Sequence, residues 1–369
     1  MHKKHFLIVA QTIFPAQTPR SLRATELAKE LGRQGEKVTL YAVLGNYNYE
    51  LFEKDNYIKV KNIGRMWFSK INSAGTHNVT IIDRALKRLF GKLLEFPDIE
   101  LMFRIVNIFK NERNVDCIIT VGMPYPLHWG AALAKTLFPK KFPKKWIADC
   151  GDPYMGNKFD KKFFYFKYIE RWFCHKANYI TIPLEEARDG YYKEFKDKIK
   201  IIPQGFNFDH LPIPDQHSRN TVPYFAYAGV FYRKKRDPTL FLQYLTTLKQ
   251  DFKFFIFTPT SDLIEPFIEK LGSKIEVYSY VSRDNLLKIL IKMDFLINIE
   301  NGTRIHSPSK LIDYALTTRP ILSLDPYFLN TEIINDFLRG DYSKRLIVKD
   351  IEQYNIKNVV SKFMELVND

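Results

Sequence analysis

Lys310 and Asp313 lie three residues apart in a stretch whose pattern changes from strand to helix. The apolar run Ile297–Ile299 leads into a polar loop that ends in Ser-Pro-Ser at residues 307–309. Serine and proline are typical of the first positions of a helix, whose N–H groups lack partners and attract anions. Lys310 adds a cation to that turn, and Asp313 is placed to accept hydrogen bonds from sugar hydroxyls. The stretch therefore predicts a site for a phosphate and a ribose, although an ordinary βα connection with a solvated lysine fits it equally well.

A second group of cations follows Gly229 at the end of a predicted strand. The loop contains the run Arg233–Arg236, with the sequence RKKR. The planar guanidinium of arginine matches the geometry of phosphate oxygens, so such a cluster suits a diphosphate. Open α/β sheets bind ligands in the loops at the carboxyl ends of their strands. Because this loop and the Lys310 loop both follow strands, we predict that they form one anion site. A solvated basic loop is the alternative.

Three side chains in the first half could transfer a proton or bind a hydroxyl. His128 opens a helix rich in small residues, where a neutral imidazole can orient a hydroxyl or act as a base. A histidine at this position can equally serve only as a hydrogen-bonding residue. Asp149 and Asp152 form a close carboxylate pair after a predicted strand, and Asp152 is the candidate catalytic carboxylate. Its neighbour Pro153 leaves a simple turn as the alternative.

The charge of the chain limits the classes of partner. Its 369 residues include 56 Lys and Arg against 41 Asp and Glu, a formal net charge of +15. This surplus favours nucleic acid, an anionic membrane or a phosphorylated substrate. The 3 cysteines are scattered, which argues against disulfides and suits a reducing compartment. The apolar N-terminal run breaks at Gln11, and no uninterrupted apolar stretch reaches about 18 residues. We therefore expect a cytoplasmic protein without a membrane span.

The order of predicted strands and helices indicates two α/β domains. The apolar run Phe6–Ala10, the helical pattern after it and the strand Lys37–Val43 form a βαβ unit. Such a unit predicts a parallel, doubly wound sheet. The same alternation restarts after a stretch dense in Gly, Pro, Asp and Ser. We predict domains over residues 1–205 and 206–350, with a helix in 351–369 that can pack back on the first domain.

Several motifs of known chemistry are absent from the sequence. No G-x-G-x-x-G follows the first predicted strand and no G-x-x-x-x-G-K-[ST] occurs, which disfavours nicotinamide dehydrogenases and P-loop NTPases. No H-E-x-x-H, D-x-D or G-x-S-x-G occurs either. We therefore predict neither a metal site nor a cofactor.

Five segments of the sequence resemble the retaining glycosyltransferases of family 4, which have the GT-B fold. They extend over nearly the whole chain: FPAQTPRSLRATELAKELGRQGEKVTL, KKWIADCGDPY, CHKANYITIPLEEARDGY with IKIIPQGF, YAGVFYRKKRDP, and INIENGTRIHSPSKLIDYALTTRPIL. The resemblance implies two Rossmann-like domains facing a central crevice, with the nucleotide-sugar donor held mainly by the second. It also implies metal-independent transfer with retained configuration, in which positive charge stabilises the leaving nucleoside diphosphate.

The resemblance also assigns donor-binding residues by position. Arg236 matches the basic residue that contacts the donor diphosphate, with Arg233 as a competitor. Asp313 matches the second acid of the family's Glu–seven residues–Glu motif, which binds ribose, and residues 279–281 match the strand exit where the base packs. The predicted donor-binding residues are Gly229, Arg233, Arg236, Tyr280, Val281, Glu300, Ser309, Lys310 and Asp313. The predicted catalytic residues are His128, Asp152, Arg236 and Lys310.

The sequence departs from the family pattern in two places. The first acid of the motif falls on Ile305, so its contact is either missing or supplied by Glu300. The usual pair of glycines in the first loop is replaced around Pro19 and Arg20, which suggests that side chains contact the acceptor there. We therefore predict an acceptor-side group of Pro19, Arg20 and Arg23.

Together these patterns predict a retaining glycosyltransferase that uses a UDP-sugar, or else a GDP-sugar. Its acceptor is expected to be a glycan or lipid-linked molecule of bacterial-type surface polysaccharide synthesis. Segments 84–92, 140–145 and 158–167 mix Lys and Arg with aromatic residues. They predict contact with the inner face of an anionic membrane, with solvated surface and part-buried aromatics as the alternative.

Two other functions are compatible with parts of the sequence. A nucleotide-sugar epimerase of the same fold would need acid and base carboxylates in the crevice, for which Asp149 and Asp152 are the candidates. A nucleic-acid-binding protein is suggested by the net charge alone, and no recognition motif supports it. We therefore expect no nucleic-acid partner.

Overall fold

The computed structural model describes residues 3–67, 89–157, 160–209, 220–279, 281–300 and 309–369. The chain divides into two compact units. The first unit comprises Met1–Asn207 and Gln353–Asp369, and the second comprises Phe208–Glu352. Each unit is built around a parallel sheet, which confirms the α/β class predicted from the alternation of strands and helices.

The sheet of the first unit has seven strands in the order β3-β2-β1-β4-β5-β6-β7. They are β1 (His5–Val9), β2 (Lys37–Ala42), β3 (Lys59–Asn62), β4 (Cys117–Val121), β5 (Lys145–Asp149), β6 (Tyr179–Ile182) and β7 (Ile199–Ile201). All described neighbours pair in parallel. In β1, Leu7 and Val9 pack into one layer of the core, and Phe6 and Ile8 pack into the other. Burial on both faces explains why this strand is apolar along its whole length.

The described helices of the first unit include one from the C-terminal end of the chain. They are α1 (Pro19–Arg33), α2 (Glu50–Asn56), α3 (Ile99–Asn111), α4 (Pro126–Leu137), α5 (Phe166–Lys176) and α11 (Ile356–Asn368). Phe363 of α11 is buried in the same cluster as Leu27 of α1. The backbone of Phe206 bonds to Tyr354 over 2.8 Å and to Ile356 over 2.9 Å. The last helix therefore completes the core of the first unit. Within the described residues, no helix is long and apolar enough to cross a bilayer.

The sheet of the second unit has five strands in the order β10-β9-β8-β11-β12. They are β8 (Tyr224–Ala228), β9 (Lys253–Phe257), β10 (Ile275–Tyr278), β11 (Phe295–Ile299) and β12 (Ile321–Leu324). Its helices over the described residues are α6 (Thr239–Thr247), α7 (Glu265–Leu271), α8 (Arg283–Leu290), α9 (Ser309–Leu316) and α10 (Thr331–Arg339). The Phe225 ring stacks on Phe254 and on Phe295, each with ring centres 4.8 Å apart. Three adjacent strands are thus joined by aromatic contacts, which accounts for part of the high aromatic content.

One buried carboxylate joins the first helix to the carboxyl edge of the first sheet. Asp149, the last residue of β5, is 1% exposed and lies 2.6 Å from Arg20 Nη2 and 2.8 Å from Arg23 Nη2. Thr181 Oγ1 of β6 donates to Asp149 Oδ1 over 2.7 Å. Burial by itself raises the pKa of Asp149, but Arg23 and Arg20 outweigh this effect and hold the pKa at about 2. Asp149 is therefore ionised and fully engaged.

The structure places Arg23, a predicted acceptor-side residue, in the interior of the first unit. Its side chain is 3% exposed and also donates to the carbonyl of Pro203. Arg20 is mostly buried and donates from Nε to the Gly122 carbonyl over 2.8 Å. Both guanidinium groups bind Asp149. A carboxylate that is buried away from water is stable in its charged form only when counter-charges surround it. Pro19 is exposed and begins α1, a position where its missing N–H costs nothing.

Asp149→Asn should lower the free energy of unfolding by about 3–5 kcal/mol, because it leaves two guanidinium groups without their counter-charge at a buried site. Asp152→Asn alters an exposed carboxylate nearby and should change the free energy of unfolding by less than about 0.5 kcal/mol. Urea denaturation of both variants measures the difference. Equal stabilities would refute the structural role of Asp149.

Comparison of the wild type with Asp149→Asn as a function of pH gives a second test of this ion pair. The pKa of Asp149 is lowered from 3.8 to about 2, so its carboxylate stabilises the fold above about pH 4 and loses this effect as the pH falls toward 2. The difference in stability between the wild type and Asp149→Asn should therefore shrink over this range. A difference that stays constant from pH 5 to pH 2 would contradict the assigned ion pairs.

Candidate functional site

The carboxyl end of β8 brings the predicted anion-binding residues together. Gly229 follows β8 and has a φ angle of 144°, which L side chains rarely adopt. Its N–H donates to the Phe257 carbonyl at the end of β9 over 2.9 Å. Helix α9 begins at Ser309, and Lys310 stands in its first turn. A Cβ atom at Gly229 would lie 3.8 Å from Lys310 Cδ, so the glycine loop passes directly beside this lysine.

The ammonium group of Lys310 is buried against an aromatic ring. Its Nζ lies 4.4 Å from the centre of the Tyr227 ring and has no hydrogen-bond partner among the residues that the structure describes. Burial, with a further contribution from Arg236, lowers the pKa of Lys310 to about 7. A buried cation beside a second cation is unfavourable until an anion neutralises it. The pair therefore indicates an anion-binding site.

Arg236 is the arginine of the basic loop that reaches this site. Its guanidinium lies 5.5 Å from the centre of the Tyr232 ring and hydrogen-bonds the Tyr227 hydroxyl. Burial raises the pKa of Tyr227 to about 12 in spite of the opposing charge of Arg236. The Arg233 side chain is exposed. The geometry therefore favours Arg236 over Arg233 as the residue that contacts a bound anion.

Two buried tyrosines that the sequence analysis did not single out shape the site. Tyr227 stacks on Phe231 with ring centres 4.2 Å apart, and its hydroxyl donates to the Val230 carbonyl over 3.2 Å. The Tyr314 hydroxyl accepts a hydrogen bond of 2.7 Å from the N–H of Ala228, which fixes α9 to the end of β8. The two partners are 86 positions apart in the sequence. Only the position of Tyr314 beside Asp313 could have drawn attention to it.

Asp313 forms an ion pair that the sequence did not reveal. Arg283, at the start of α8, contacts Asp313 Oδ1 from Nη2 at 2.6 Å and from Nε at 2.8 Å. Burial raises the pKa of Asp313, although Arg283 opposes this effect. Asp313 Oδ2 has no hydrogen-bond partner in the described part of the chain. The carboxylate therefore keeps one oxygen that can accept a hydrogen bond from a ribose hydroxyl.

The remaining predicted donor-binding residues lie around this group. Glu300 follows β11 and accepts a hydrogen bond of 3.0 Å from the Ser323 hydroxyl of β12. Val281 is half-buried and packs against the apolar cluster that contains Tyr314. Tyr280 and residues 301–308, which include Ile305, lie outside the described residues.

The structure places His128, a predicted catalytic residue, in the interior of the first unit, where its ring is 0% exposed. Nδ1 lies 2.7 Å from Thr120 Oγ1 and Nε2 lies 3.5 Å from Cys150 Sγ. The ring stacks on Phe173 with centres 5.2 Å apart. Burial, with a contribution from Arg20, lowers the pKa of His128 to about 3, so the imidazole is neutral near pH 7. Helix α4 buries this residue against β4, where it bonds to polar neighbours.

The two predicted carboxylates of the first unit do not act as a pair. Asp149 is buried in its ion pairs, whereas the Asp152 side chain is exposed. The backbone carbonyl of Asp152 accepts a hydrogen bond from the Tyr125 hydroxyl, which fixes the turn. Across the described ranges, no group of three or more His, Cys, Asp or Glu side chains could hold a metal ion.

Comparison with solved structures identifies the fold. The chain matches a glycosyltransferase from Rickettsia africae over 100% of its own length and 98% of that chain, with a TM-score of 0.65 and 14% identity. HepE from Anabaena, solved with UDP and glucose, matches over 99% of both chains, with a TM-score of 0.61 and 8% identity. The lipopolysaccharide outer core galactosyltransferase WaaB matches over 99% of both chains, with a TM-score of 0.60 and 10% identity. No protein-family model and no curated protein matches the sequence. The chain therefore has the GT-B glycosyltransferase fold, as its sequence predicted.

Proposed function

We propose that this chain, which has the GT-B fold, is a glycosyltransferase that takes a sugar from a nucleoside-diphosphate sugar. The observation that carries the proposal is the buried ammonium of Lys310, which lies beside Arg236 and has no partner among the described residues. A diphosphate supplies the negative charge that the Lys310 ammonium lacks among the described residues. UDP is the favoured nucleotide because HepE, which shares the fold, was solved with UDP and glucose. GDP is the alternative.

The same residues can stabilise the transition state of sugar transfer. As the bond between the anomeric carbon and the donor phosphate breaks, negative charge develops on the departing diphosphate. Arg236, Lys310 and the N–H groups in the first turn of α9 are available to stabilise that charge. The acceptor oxygen forms the new bond to the anomeric carbon, and its proton passes to the departing diphosphate. From the family resemblance we propose that configuration is retained and that no metal is required.

The rival epimerase function is less compatible with the first unit. Epimerisation would require a carboxylic acid and a carboxylate base that both reach the substrate. Asp149 is 1% exposed and is held by two arginines, so it cannot supply either. Incubation of UDP-sugars without an acceptor separates the two functions, because only an epimerase would convert them into epimers.

Two of the predicted membrane-contact segments adjoin each other in the first unit. The Tyr165 hydroxyl of the segment 158–167 donates to the carbonyl of Leu93, the residue that follows the segment 84–92. The segment 140–145 is different, since its aromatic residue, Phe142, is buried in the core. Residues 84–88 and 158–159 lie outside the described part of the chain.

The segment 158–167 and the residues that directly follow the two segments expose large apolar side chains close to a lysine. Leu94, Phe164 and Tyr168 are 51%, 71% and 59% exposed, and Lys167 Nζ lies 4.9 Å from the centre of the Tyr168 ring. We call these four residues the aromatic–basic surface. Such a surface suits the headgroup region of an anionic bilayer. We propose that it holds the enzyme at the cytoplasmic face of a membrane, where a glycan or lipid-linked acceptor of surface polysaccharide synthesis is extended.

Lys310→Met and Arg236→Ala should each weaken UDP binding about tenfold or more, because each removes a charge-assisted contact to phosphate worth about 1.5–3 kcal/mol. Isothermal titration calorimetry with UDP, and with GDP in parallel, measures the affinities. Arg339→Ala removes an exposed cation of α10 in the same unit and should leave the affinity unchanged. The donor site is refuted if the wild type binds neither nucleotide, or if both site variants bind like the wild type.

UDP binding should also weaken as the pH rises above about 7. The pKa of Lys310 is about 7 in the free protein, so its ammonium loses a proton as the pH rises above 7. A phosphate binds the charged form more tightly than the neutral form, so the affinity falls when that proton is lost. Tyr227, with a pKa of about 12, stays neutral in this range, and the terminal phosphate of UDP, with a second pKa of about 6, is already mostly ionised at pH 7. The dissociation constant should therefore increase about tenfold or more between pH 7 and pH 9. Lys310→Met should show no such increase, and an equal pH dependence in both proteins would overturn this assignment.

The double variant Phe164→Ser, Tyr168→Ser should reduce binding to vesicles that contain anionic phospholipid, because it removes the apolar part of the aromatic–basic surface. Vesicle flotation at low ionic strength measures the bound fraction, which should fall in the wild type at high salt. Leu51→Ser changes a residue of α2 that is 68% exposed and serves as the matched control. Absence of flotation by the wild type at low salt would remove the membrane proposal.

A further inference from the structure

The first unit contains a cleft that the proposed donor site does not use. Gln11 follows β1, residues 123–125 follow β4, and residues 153–154 follow β5. These strands are neighbours in the sheet order, and open α/β sheets bind ligands at the carboxyl ends of such strands. The cleft has a volume of about 370 Å³, within the range of about 300–1,000 Å³ that is usual for small-molecule sites.

Two carboxylates in this cleft are held in place by neighbouring side chains. Gln11 Nε2 donates to Asp98 Oδ1 over 2.9 Å. The Tyr154 hydroxyl and the Lys162 ammonium donate to Glu95 Oε1 over 2.9 Å and 2.7 Å. The second oxygens, Asp98 Oδ2 and Glu95 Oε2, have no hydrogen-bond partner within the described ranges. Each carboxylate therefore has a fixed orientation and an oxygen that can accept a hydrogen bond from a ligand.

Apolar side chains contribute to the rest of the lining. Met123 is exposed and Pro124 and Pro153 are half-buried, while the rings of Tyr125 and Tyr154 lie behind them in the core with their centres 4.6 Å apart. A sugar ring has C–H faces that pack on such surfaces and hydroxyls that donate to carboxylates. The cleft therefore combines the two kinds of contact that a hydroxyl-rich ring can use.

The charge of the cleft is opposite to that of the chain. Its lining includes the carboxylates of Glu95, Asp98 and Asp160 and the ammonium of Lys162, three negative groups against one positive group. The whole chain carries +15. Burial raises the pKa of Asp98; the hydrogen bond from Gln11 opposes this effect, and the charge of Glu95 adds to it. The carboxylates of Glu95 and Asp98 would likewise repel a phosphate or carboxylate of a ligand.

We propose that this cleft binds the acceptor, and that the acceptor sugar within it is uncharged and hydroxyl-rich. This inference rests on the proposed transferase function and adds the class of acceptor. Asp98 and Glu95 accept hydrogen bonds from two sugar hydroxyls, and the exposed side chain of Met123 packs against the ring. Gln11 and Lys162 act as positioning residues, because they hold the two carboxylates. Any phosphate of a lipid-linked acceptor lies outside the cleft.

Ligand-observed NMR on the full-length chain tests the proposed class of acceptor. The uncharged probes are the methyl glycosides of glucose, galactose, mannose and N-acetylglucosamine, and the anionic probes are methyl glucuronide and glucose 6-phosphate. At least one uncharged probe should bind, and each anionic probe should bind about tenfold more weakly or worse. The inference is overturned if no uncharged probe binds at millimolar concentration, or if the anionic probes bind equally well.

Asp98→Asn keeps the shape of the side chain and removes its charge. It should weaken binding of the uncharged probe about tenfold, since a charge-assisted hydrogen bond becomes a neutral one, and it should narrow the discrimination against methyl glucuronide. Asp55→Asn, at an exposed carboxylate of α2, is the matched control and should bind like the wild type. Unchanged probe binding by Asp98→Asn would refute the assigned contact.

Titration of the same samples with UDP separates this inference from the proposed function. Asp98→Asn should bind UDP like the wild type, because the donor residues belong to the other unit. Loss of discrimination between probes with intact UDP binding would overturn the acceptor inference alone. Failure of UDP and GDP to bind a protein that still selects uncharged sugars would overturn the donor proposal alone.

Discussion

The buried carboxylate of Asp149 organises the carboxyl edge of the first sheet. A charged group with almost no exposure is tolerated only when counter-charges and hydrogen bonds surround it. Arg20 and Arg23 from α1 and Thr181 from β6 provide them. The Arg23 guanidinium and the Nε and Nη2 groups of Arg20 are used within the protein in this way. The neighbouring cleft has Glu95 and other carboxylates as its main charges.

The second unit has the opposite electrostatic arrangement at the corresponding edge of its sheet. Lys310 is buried beside Arg236, and its ammonium has no hydrogen-bond partner in the part of the chain that the structure describes. The aromatic ring of Tyr227 offers a cation–π contact, which stabilises a charge less well than an anion does. One edge is thus neutralised by the protein itself, while the other edge has positive charge that a ligand can neutralise. This difference is the physical basis for assigning the donor to the second unit.

The net charge of +15 does not describe any one of these sites. It is the sum over 56 Lys and Arg and 41 Asp and Glu, and it includes the cations around Lys310, the aromatic–basic surface around Phe164 and Tyr168, and many solvated lysines. The cleft beside Asp98 has a negative lining within this basic protein. Local charge, rather than the total, decides which chemical group each site accepts, because fields from exposed charges are screened over about 10 Å in salt.

The sequence by itself determined the α/β class, the restart of the βα alternation and the two cationic loops that follow strands. These features depend on local patterns: apolar runs, helix-start residues and clusters of like charge. It also led to Lys310, Arg236 and Asp313, which share one region of the second unit. Only the tertiary structure decided which polar residues are buried. His128 and Arg23 looked suitable for substrate contact, but packing placed both in the interior, and Arg23 bonds to Asp149, 126 positions away in the sequence. Tyr314 bonding to Ala228, Arg283 to Asp313 and Gln11 to Asp98 are likewise long-range contacts, which no local pattern encodes because the fold alone brings such residues together.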